Sequence, residues 1–489
     1  MKKRMLMIIL LLFLLINCAG VNKNTDFFDN NDIRGKIFSL ISDANFDNAN
    51  WGIYISRLKD GDIIFSHNSD KVFMPASNMK LVTTSAALKY LGPDFTFKTY
   101  ICYNGNIKNK ILNGDLVIFA SGDPSISPHF YNDQISVLKD WVNNIKDFGI
   151  DSINGNIVVD LHIFGNDFLG KGWAWDFLTD YYAAQISPLC FNDNTVDIKL
   201  FVDENNNFKY SFYPDISFIN IIDNKIEIKE NLFRNDVIFV RERGTNNIRI
   251  FGEMNKEDTV KESITINEPY KMFMNIFRSQ LEKGKIGFGG DIIYDYEGMY
   301  SKDSLMNIFV YESKTLSEII EIILKKSHNL MAEQVFRYLG YKYTGLGTND
   351  NALKFFNEVY FPSIGVDPHR IQMYDGSGLS RYNLISPKAL VAVLEDSYKT
   401  KYFDIFYNSL PIAGKDGTLR SRMKNMVAEN NVHAKTGFIF NARTLSGYLT
   451  TKNGNLIVFS LMANNYTVPT KLVNNVQDKI CSLLINSEF

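Results

Sequence analysis

Four Ser-x-x-Lys pairs occur in the 489-residue chain, at Ser56/Lys59, Ser77/Lys80, Ser136/Lys139 and Ser421/Lys424. Such a pair can perform nucleophilic acyl transfer, the hydroxyl attacking a carbonyl while the amine takes its proton. Context separates the four. Ser56 falls in a predicted strand, where i and i+3 point to opposite faces. Ser77 follows Pro75 at the start of a helix predicted over 76–91, where i and i+3 share a face. That helix start also offers N–H groups and a positive dipole end to a developing oxyanion. Ser136 and Ser421 read as ordinary polar surface pairs. Lys435-Thr436-Gly437 occurs once, where a C-terminal β run begins. A lysine, a hydroxyl and a side-chain-free position at a strand edge let a peptide lie alongside and hold its carboxylate. Between the two motifs, Tyr374-Asp375-Gly376-Ser377-Gly378-Leu379-Ser380-Arg381-Tyr382-Asn383 reads as a loop able to present Ser380 and Asn383 to a cleft.

The elements that must position these groups follow from periodicity and punctuation. Trp51 to Ser66 reads as a hairpin turning at Lys59-Asp60-Gly61-Asp62, followed by the Ser77 helix, which Gly92 and Pro93 stop. From about Asp94 to Asn307 short β-like runs alternate with Asn, Asp and Gly turns, interrupted by one helical run, Tyr270 to Lys283. Leu316 to Leu339 then reads as strongly helical, with further helices near Asn351–Tyr360 and Pro387–Tyr398. Two β runs, Thr444–Thr450 and Leu456–Ala463, precede a final helix over Thr470–Ile485. A hairpin at one end and a hairpin plus helix at the other predict one sheet built from both chain ends, flanked by helices: an α/β (α+β) fold with a large, mostly β insertion.

Charge and composition exclude some functions. With 52 basic and 54 acidic residues and no basic block, nucleic acid is excluded as a partner. Apart from Cys18, the cysteines Cys102, Cys190 and Cys481 are far apart and odd in number, so no disulfide framework is implied. The six histidines are scattered and none forms a metal pair in sequence, so no metal site is expected. Lys2, Lys3 and Arg4 before an apolar run from Met5 to Ile16 read as an export signal, too short to span a bilayer. Leu15-Ile16-Asn17-Cys18-Ala19 is similar to a lipoprotein box, which makes Cys18 the expected lipidation site, with a polar tether over 19–31.

The order Ser-x-x-Lys, Ser/Asn loop, Lys-Thr-Gly is the motif set of β-lactamases and penicillin-binding proteins. Gly414-Lys415-Asp416-Gly417-Thr418-Leu419, the Asp375–Ser380 loop, Ser121-Gly122-Asp123-Pro124, Tyr181-Tyr182-Ala183, Asn192-Asp193-Asn194-Thr195-Val196 and Asn329-Leu330-Met331-Ala332-Glu333 extend the likeness. Over nearly the whole mature chain it resembles the D-Ala-D-Ala carboxypeptidase/endopeptidase family of low-molecular-mass, class C penicillin-binding proteins. The resemblance implies a β-lactamase/transpeptidase-like domain over 32–93 and 308–489, with 94–307 inserted, after a signal at 1–18. It implies catalytic Ser77, Lys80 and Ser380, with Asn383, Lys435, Thr436, Gly437 and Phe438 binding substrate. Ser77 would attack between two D-alanines and Lys80, its pKa lowered by burial and by Lys435, would take the proton. Ser380 would relay a proton to the leaving amine, and Asn383 would order Lys80. No cofactor is implied. The expected partners are peptidoglycan peptides ending in D-Ala-D-Ala and β-lactams, in a periplasmic setting tethered through Cys18. A serine β-lactamase and a non-catalytic peptidoglycan-binding lipoprotein are the alternatives. Two departures stand out: Phe438 follows Lys-Thr-Gly where a small or hydroxyl residue is usual, and Ser380–Asn383 is one residue longer than Ser-x-Asn.

Overall fold

The structure, a computed structural model, describes residues 32–215 and 219–488; the export signal, Cys18 and the tether lie outside them. A first unit ends at Ala44 and contains a helix, Ile33–Ile41, opened by the Asp32 carboxylate, which accepts from the Ile33 N–H. The second unit runs from Asn45 onward and carries every candidate site residue except Cys18.

In that unit the predicted hairpin forms as β1 (Asn50–Arg57) and β2 (Ile63–His67). The Ser77 segment is one 3-10 turn, Ala76–Asn78, leading into α1 (Met79–Tyr90). Every residue of α1 from Met79 to Leu88 is buried. A helix buried on all sides must pair its polar groups internally. Accordingly Thr83 donates to Gly376 O at 2.7 Å, Thr84 to Lys80 O at 2.6 Å, and Ser85 meets the Tyr360 hydroxyl at 2.9 Å. Helices α2 (Leu316–Lys325), α3 (Asn329–Thr344) and α4 (Pro387–Lys399) follow, and the chain closes with β3 (His433–Ile439), β4 (Ala442–Thr450), β5 (Leu456–Asn464) and α5 (Thr470–Ile485).

The sheet is antiparallel in the order β3-β4-β5-β1-β2, so strands from both ends of the chain share it. Trp51 pairs with Ala463 and Ile55 with Phe459, while Lys435 pairs with Ser446 and Gly437 with Thr444. On one side, Asn78 of the Ser77 turn donates to Ser446 Oγ at 2.7 Å and Tyr448 donates to Leu394 O of α4 at 2.7 Å. Gln477 of α5 donates to Leu461 O at 3.3 Å. Met79, Val82, Ile323, Val335, Leu390 and Val458 belong to one apolar core under this sheet. Each such side chain contributes about 1.5–3 kcal/mol by leaving water.

The middle of the chain has a core of its own, which includes Ile118, Trp141, Ile157, Phe191, Phe273 and Phe277. Its largest sheet is mixed, in the order Ile292–Asp295, Ile157–Asp160, Leu116–Phe119, Lys98–Tyr103 and Met306–Glu312. Two three-stranded sheets are centred on Thr195–Val202 and Asn247–Asn255. Three features differ from the sequence reading. A second helix, Ile135–Asp147, joins Pro269–Lys283, burying Val137, Leu138, Trp141, Val142 and Ile145 at helical spacing. Met306–Glu312 pairs with Lys98–Tyr103, so that sheet continues past residue 307. The helical stretch from Leu316 is broken at 326–328, where Ser327 takes a φ of 60°.

Phe336 of α3 is fully buried and stacks on Phe356 with centroids 5.4 Å apart, directly beneath Gly376. Phe336→Ala is expected to cost roughly 3–5 kcal/mol, read as a lowered denaturant midpoint with the β-rich middle segment still cooperative.

Candidate active site

Ser77 sits on a constrained turn. Ala76 is fully buried at a φ of 48°, so the chain enters the Ser77 turn through a conformation that L-residues rarely adopt. Two glycines make room for it. A Cβ on Gly378, whose φ is 82°, would stand 1.9 Å from Ala76 O, and one on Gly437 would stand 2.5 Å from Pro75 O. These two positions let the loop and the strand approach the Ser77 turn this closely.

Lys80 Nζ lies 3.1 Å from Ser77 Oγ and donates to Asn329 Oδ1 at 2.5 Å and to Ser377 O at 2.6 Å. Asn329 Nδ2 donates to Tyr182 O at 2.8 Å, which fixes its amide with the oxygen toward Lys80. Two of the three partners are therefore pure acceptors. When the ammonium loses a proton, its remaining N–H bonds stay on Asn329 and Ser377, and the lone pair faces the Ser77 hydroxyl. Burial pushes the Lys80 amine down to about 7, against the opposing pull of Asp375 and Glu333. The Lys80 and Lys435 charges repel, so each opposes ionisation of the other. Burial first, then the Lys80 charge, then Arg443 hold Lys435 well below its ordinary range.

Lys435 is fully buried, and its Nζ donates to Ser327 Oγ and to Thr436 O, each at 2.8 Å. Ser327 and Asn329 thus reach the two lysines from one turn at the start of α3. They form a strict Ser-x-Asn, Ser327-His328-Asn329, which the sequence reading passed over. The pattern also occurs at Ser66 and Ser152, but only Ser327 precedes a helix that packs against α1. Thr436 donates to the exposed Thr418 hydroxyl at 2.7 Å, placing two hydroxyls beside each other at the free edge of β3. The Phe438 ring points outward, 55% exposed, with the Arg443 guanidinium 5.8 Å from its centroid. Its bulk therefore faces solvent, not the contact of Gly437 with Pro75 and Ala76.

Ser380 and Asn383 are placed elsewhere, and the roles expected of them need correcting. Ser380 Oγ donates to Lys171 O at 2.7 Å and accepts from the Tyr382 N–H at 3.3 Å, with the residue 1% exposed. Asn383 Oδ1 accepts from the Tyr374 N–H at 2.7 Å, and its amide donates to Asp375 Oδ1 at 2.6 Å. Both stiffen the loop, and neither hydrogen-bonds Ser77 or Lys80. What the loop lends the site is main chain, the Ser377 carbonyl. Asp375 holds it by accepting from the Ser380 and Gly378 N–H groups and the Trp173 indole at 2.6, 2.8 and 2.9 Å. Glu333 accepts from the Ser377 and Gly376 N–H groups at 2.7 and 3.2 Å. Burial, then Asp375, push the Glu333 carboxyl up to about 7. Distance in sequence also hid a pair of histidines: His129 and His328 meet with ring centroids 5.2 Å apart.

A serine on a helix start beside a buried lysine, under an antiparallel sheet of both chain ends, defines a serine acyl-transfer enzyme of β-lactamase/transpeptidase-like fold. Residues 33–486 match the D-Ala-D-Ala carboxypeptidase 3 (S13) family, and the chain belongs to that family of serine peptidases. It is 28% identical over 468 residues to a D-alanyl-D-alanine carboxypeptidase of an Actinomadura species, covering 92% of this chain and 84% of that protein. It is 25% identical over 451 residues to the D-alanyl-D-alanine carboxypeptidase DacB of Haemophilus influenzae, covering 86% of each. The crystal structure of penicillin-binding protein 4 (dacB) from Haemophilus influenzae superposes with a TM-score of 0.80 at 24% identity, covering 92% of this chain and 99% of that one. That protein has also been solved complexed with a β-lactam.

Acylation of Ser77 by a fluorescent penicillin should rise with pH along a limb centred near 7, as Lys80 loses its proton. Because Glu333 raises the Lys80 pKa, Glu333→Gln should move that limb to lower pH; a limb moved upward would contradict the assignment.

Proposed function

We propose that this enzyme removes the terminal residue of peptidoglycan stem peptides ending in D-Ala-D-Ala through an acyl-enzyme on Ser77, and that β-lactams acylate the same hydroxyl. D,D-endopeptidase cleavage of cross-links is the same chemistry on a branched leaving group. The observation that carries the reading is the placement of Lys80, whose one hydrogen-bond partner able to give up a proton, among the described residues, is Ser77.

Ser77 Oγ attacks the carbonyl carbon of the penultimate D-alanine, and its proton passes to Lys80. The oxyanion is held by the N–H groups of Ser77 and Phe438, each such donor typically worth about 3 kcal/mol. Ser327, whose hydroxyl accepts from Lys435 Nζ, relays to the leaving amine the proton that Lys80 has taken up, the role first expected of Ser380. Asn329, in place of Asn383, orders Lys80. The Lys435 field with the Thr436 and Thr418 hydroxyls receives the terminal carboxylate at the open edge of β3. Water then attacks the acyl carbonyl, the Ser77 oxygen leaves and takes back a proton, and the shortened peptide departs.

Export and a lipid on Cys18 complete the proposal, on the strength of Lys2-Lys3-Arg4, the apolar run and Cys18. Cys18→Ala is expected to move the protein from the membrane fraction to the soluble fraction; unchanged partitioning would sink the anchor.

Ser77→Ala should abolish penicillin labelling and D-alanine release from a muramyl pentapeptide. Ser327→Ala should slow acylation by at least about tenfold, well beyond the loss in Ser380→Ala. The reverse order would return the second motif to the 380 loop.

A further inference from the structure

The Ser327-His328-Asn329 turn is braced from the middle segment by a single carboxylate. His328 caps α3, its Nδ1 accepting from the Met331 N–H at 3.3 Å, and its Nε2 stands 3.3 Å from Asp193 Oδ2. An Nδ1 that accepts leaves the ring proton on Nε2, aimed at Asp193. His129 Nε2 lies 3.8 Å from the same oxygen. The three side chains place their donor atoms within 4.8 Å of one another, a set that a divalent cation could use. A cation there would need His328 Nε2 bare, and the helix cap puts the proton on that atom. Hydrogen bonding is the arrangement that keeps the cap.

Asp193 reaches this position through backbone that chains avoid. Asn192, Asp193 and Asn194 have φ values of 49°, 56° and 56°, three left-handed residues in a row. The flanking amides fasten the turn, Asn192 Nδ2 donating to Thr195 O at 3.1 Å and Asn194 Nδ2 to Gln185 O at 2.8 Å. Burial would raise the Asp193 carboxyl, yet His328, its hydrogen bond and His129 outweigh burial and hold it below the usual range. Opposite stands Ser327 at a φ of 60°, so two strained turns meet at one Asp–His contact.

We propose that Asp193 is a positioning residue for acyl transfer: by fixing the His328 imidazole it holds the 327–329 turn so that Ser327 meets Lys435 and Asn329 meets Lys80. This rests on the acyl-transfer reading of Ser77. Asn329 Nδ2 bonding Tyr182 O, from the same segment, is a second brace on that turn.

Asp193→Asn removes the charge while keeping the shape and a residue that tolerates positive φ. It is expected to lower kcat for D-alanine release and the rate of penicillin acylation by about tenfold or more, with KM within about twofold. Coupling is read in a double-mutant cycle with His328→Asn, whose amide caps a helix without needing a carboxylate. In that background Asp193→Asn should change kcat by less than about twofold. Wild-type kcat in Asp193→Asn, or losses that simply multiply in the double variant, would overturn the proposal. Should Asp193→Asn not fold, Asp193→Gly, which accepts the same φ, takes its place in the cycle. Wild-type enzyme that neither labels nor releases D-alanine would instead overturn the acyl-transfer reading and this proposal with it; an active wild type beside an indifferent Asp193→Asn overturns this proposal alone.

Discussion

Two lysine ammonium groups buried in one cleft are the constraint around which the site is organised. Lys80 and Lys435 are both fully buried, and each depends on at least one acceptor delivered by another element. A lysine held at about 7 instead of 10.5 costs roughly 5 kcal/mol of stability. That cost is present in full below pH 7 and disappears only above about pH 10.5, where the unfolded chain also loses its proton. The apolar packing of α1, α3 and α4 under the sheet offsets it. The return is a base already neutral in part at physiological pH, which an exposed lysine could not supply.

The same constraint accounts for the carboxylates. Glu333 and Asp375 do not contact Ser77; they collect main-chain N–H groups and clamp the 375–380 loop so that the Ser377 carbonyl stays on Lys80. Ser380 and Asn383 serve the same end from the far side of the loop. A segment that looks like a presenter of catalytic hydroxyls is a scaffold whose one contribution to chemistry is a backbone oxygen.

How far the sequence could be read follows from where each signal lies. Ser77 and Lys80 share a helix turn, and Lys435 and Thr436 share a strand, so local spacing together with the helix start after Pro75 singled them out. The sheet from both ends was visible as a hairpin at the start and a hairpin plus helix at the end. Ser327 and Asn329 were hidden because the apolar period continues through Leu316 to Leu339, with no Gly or Pro to mark the break. A serine at positive φ carries no composition signal; only the strict Ser-x-Asn could have found it. Helix Ile135–Asp147 was masked by its Asn and Asp neighbours. The meeting of Asp193 with His328 depends on the packing of distant segments, which periodicity does not report.

The pairing of β1 with β5 has a consequence for biosynthesis. Trp51 finds Ala463 only after about 400 further residues have been made, an interval of roughly 20–80 s at ordinary elongation rates. Ser77 is among the first parts of the chain to emerge, yet the strand carrying Lys435 and the one that closes the sheet beside β1 are among the last. The growing chain is therefore catalytically silent for nearly the whole of its synthesis. Such long-range closure also makes for slow folding, with the apolar surface of α1 uncovered until α2, α3 and α4 have been made.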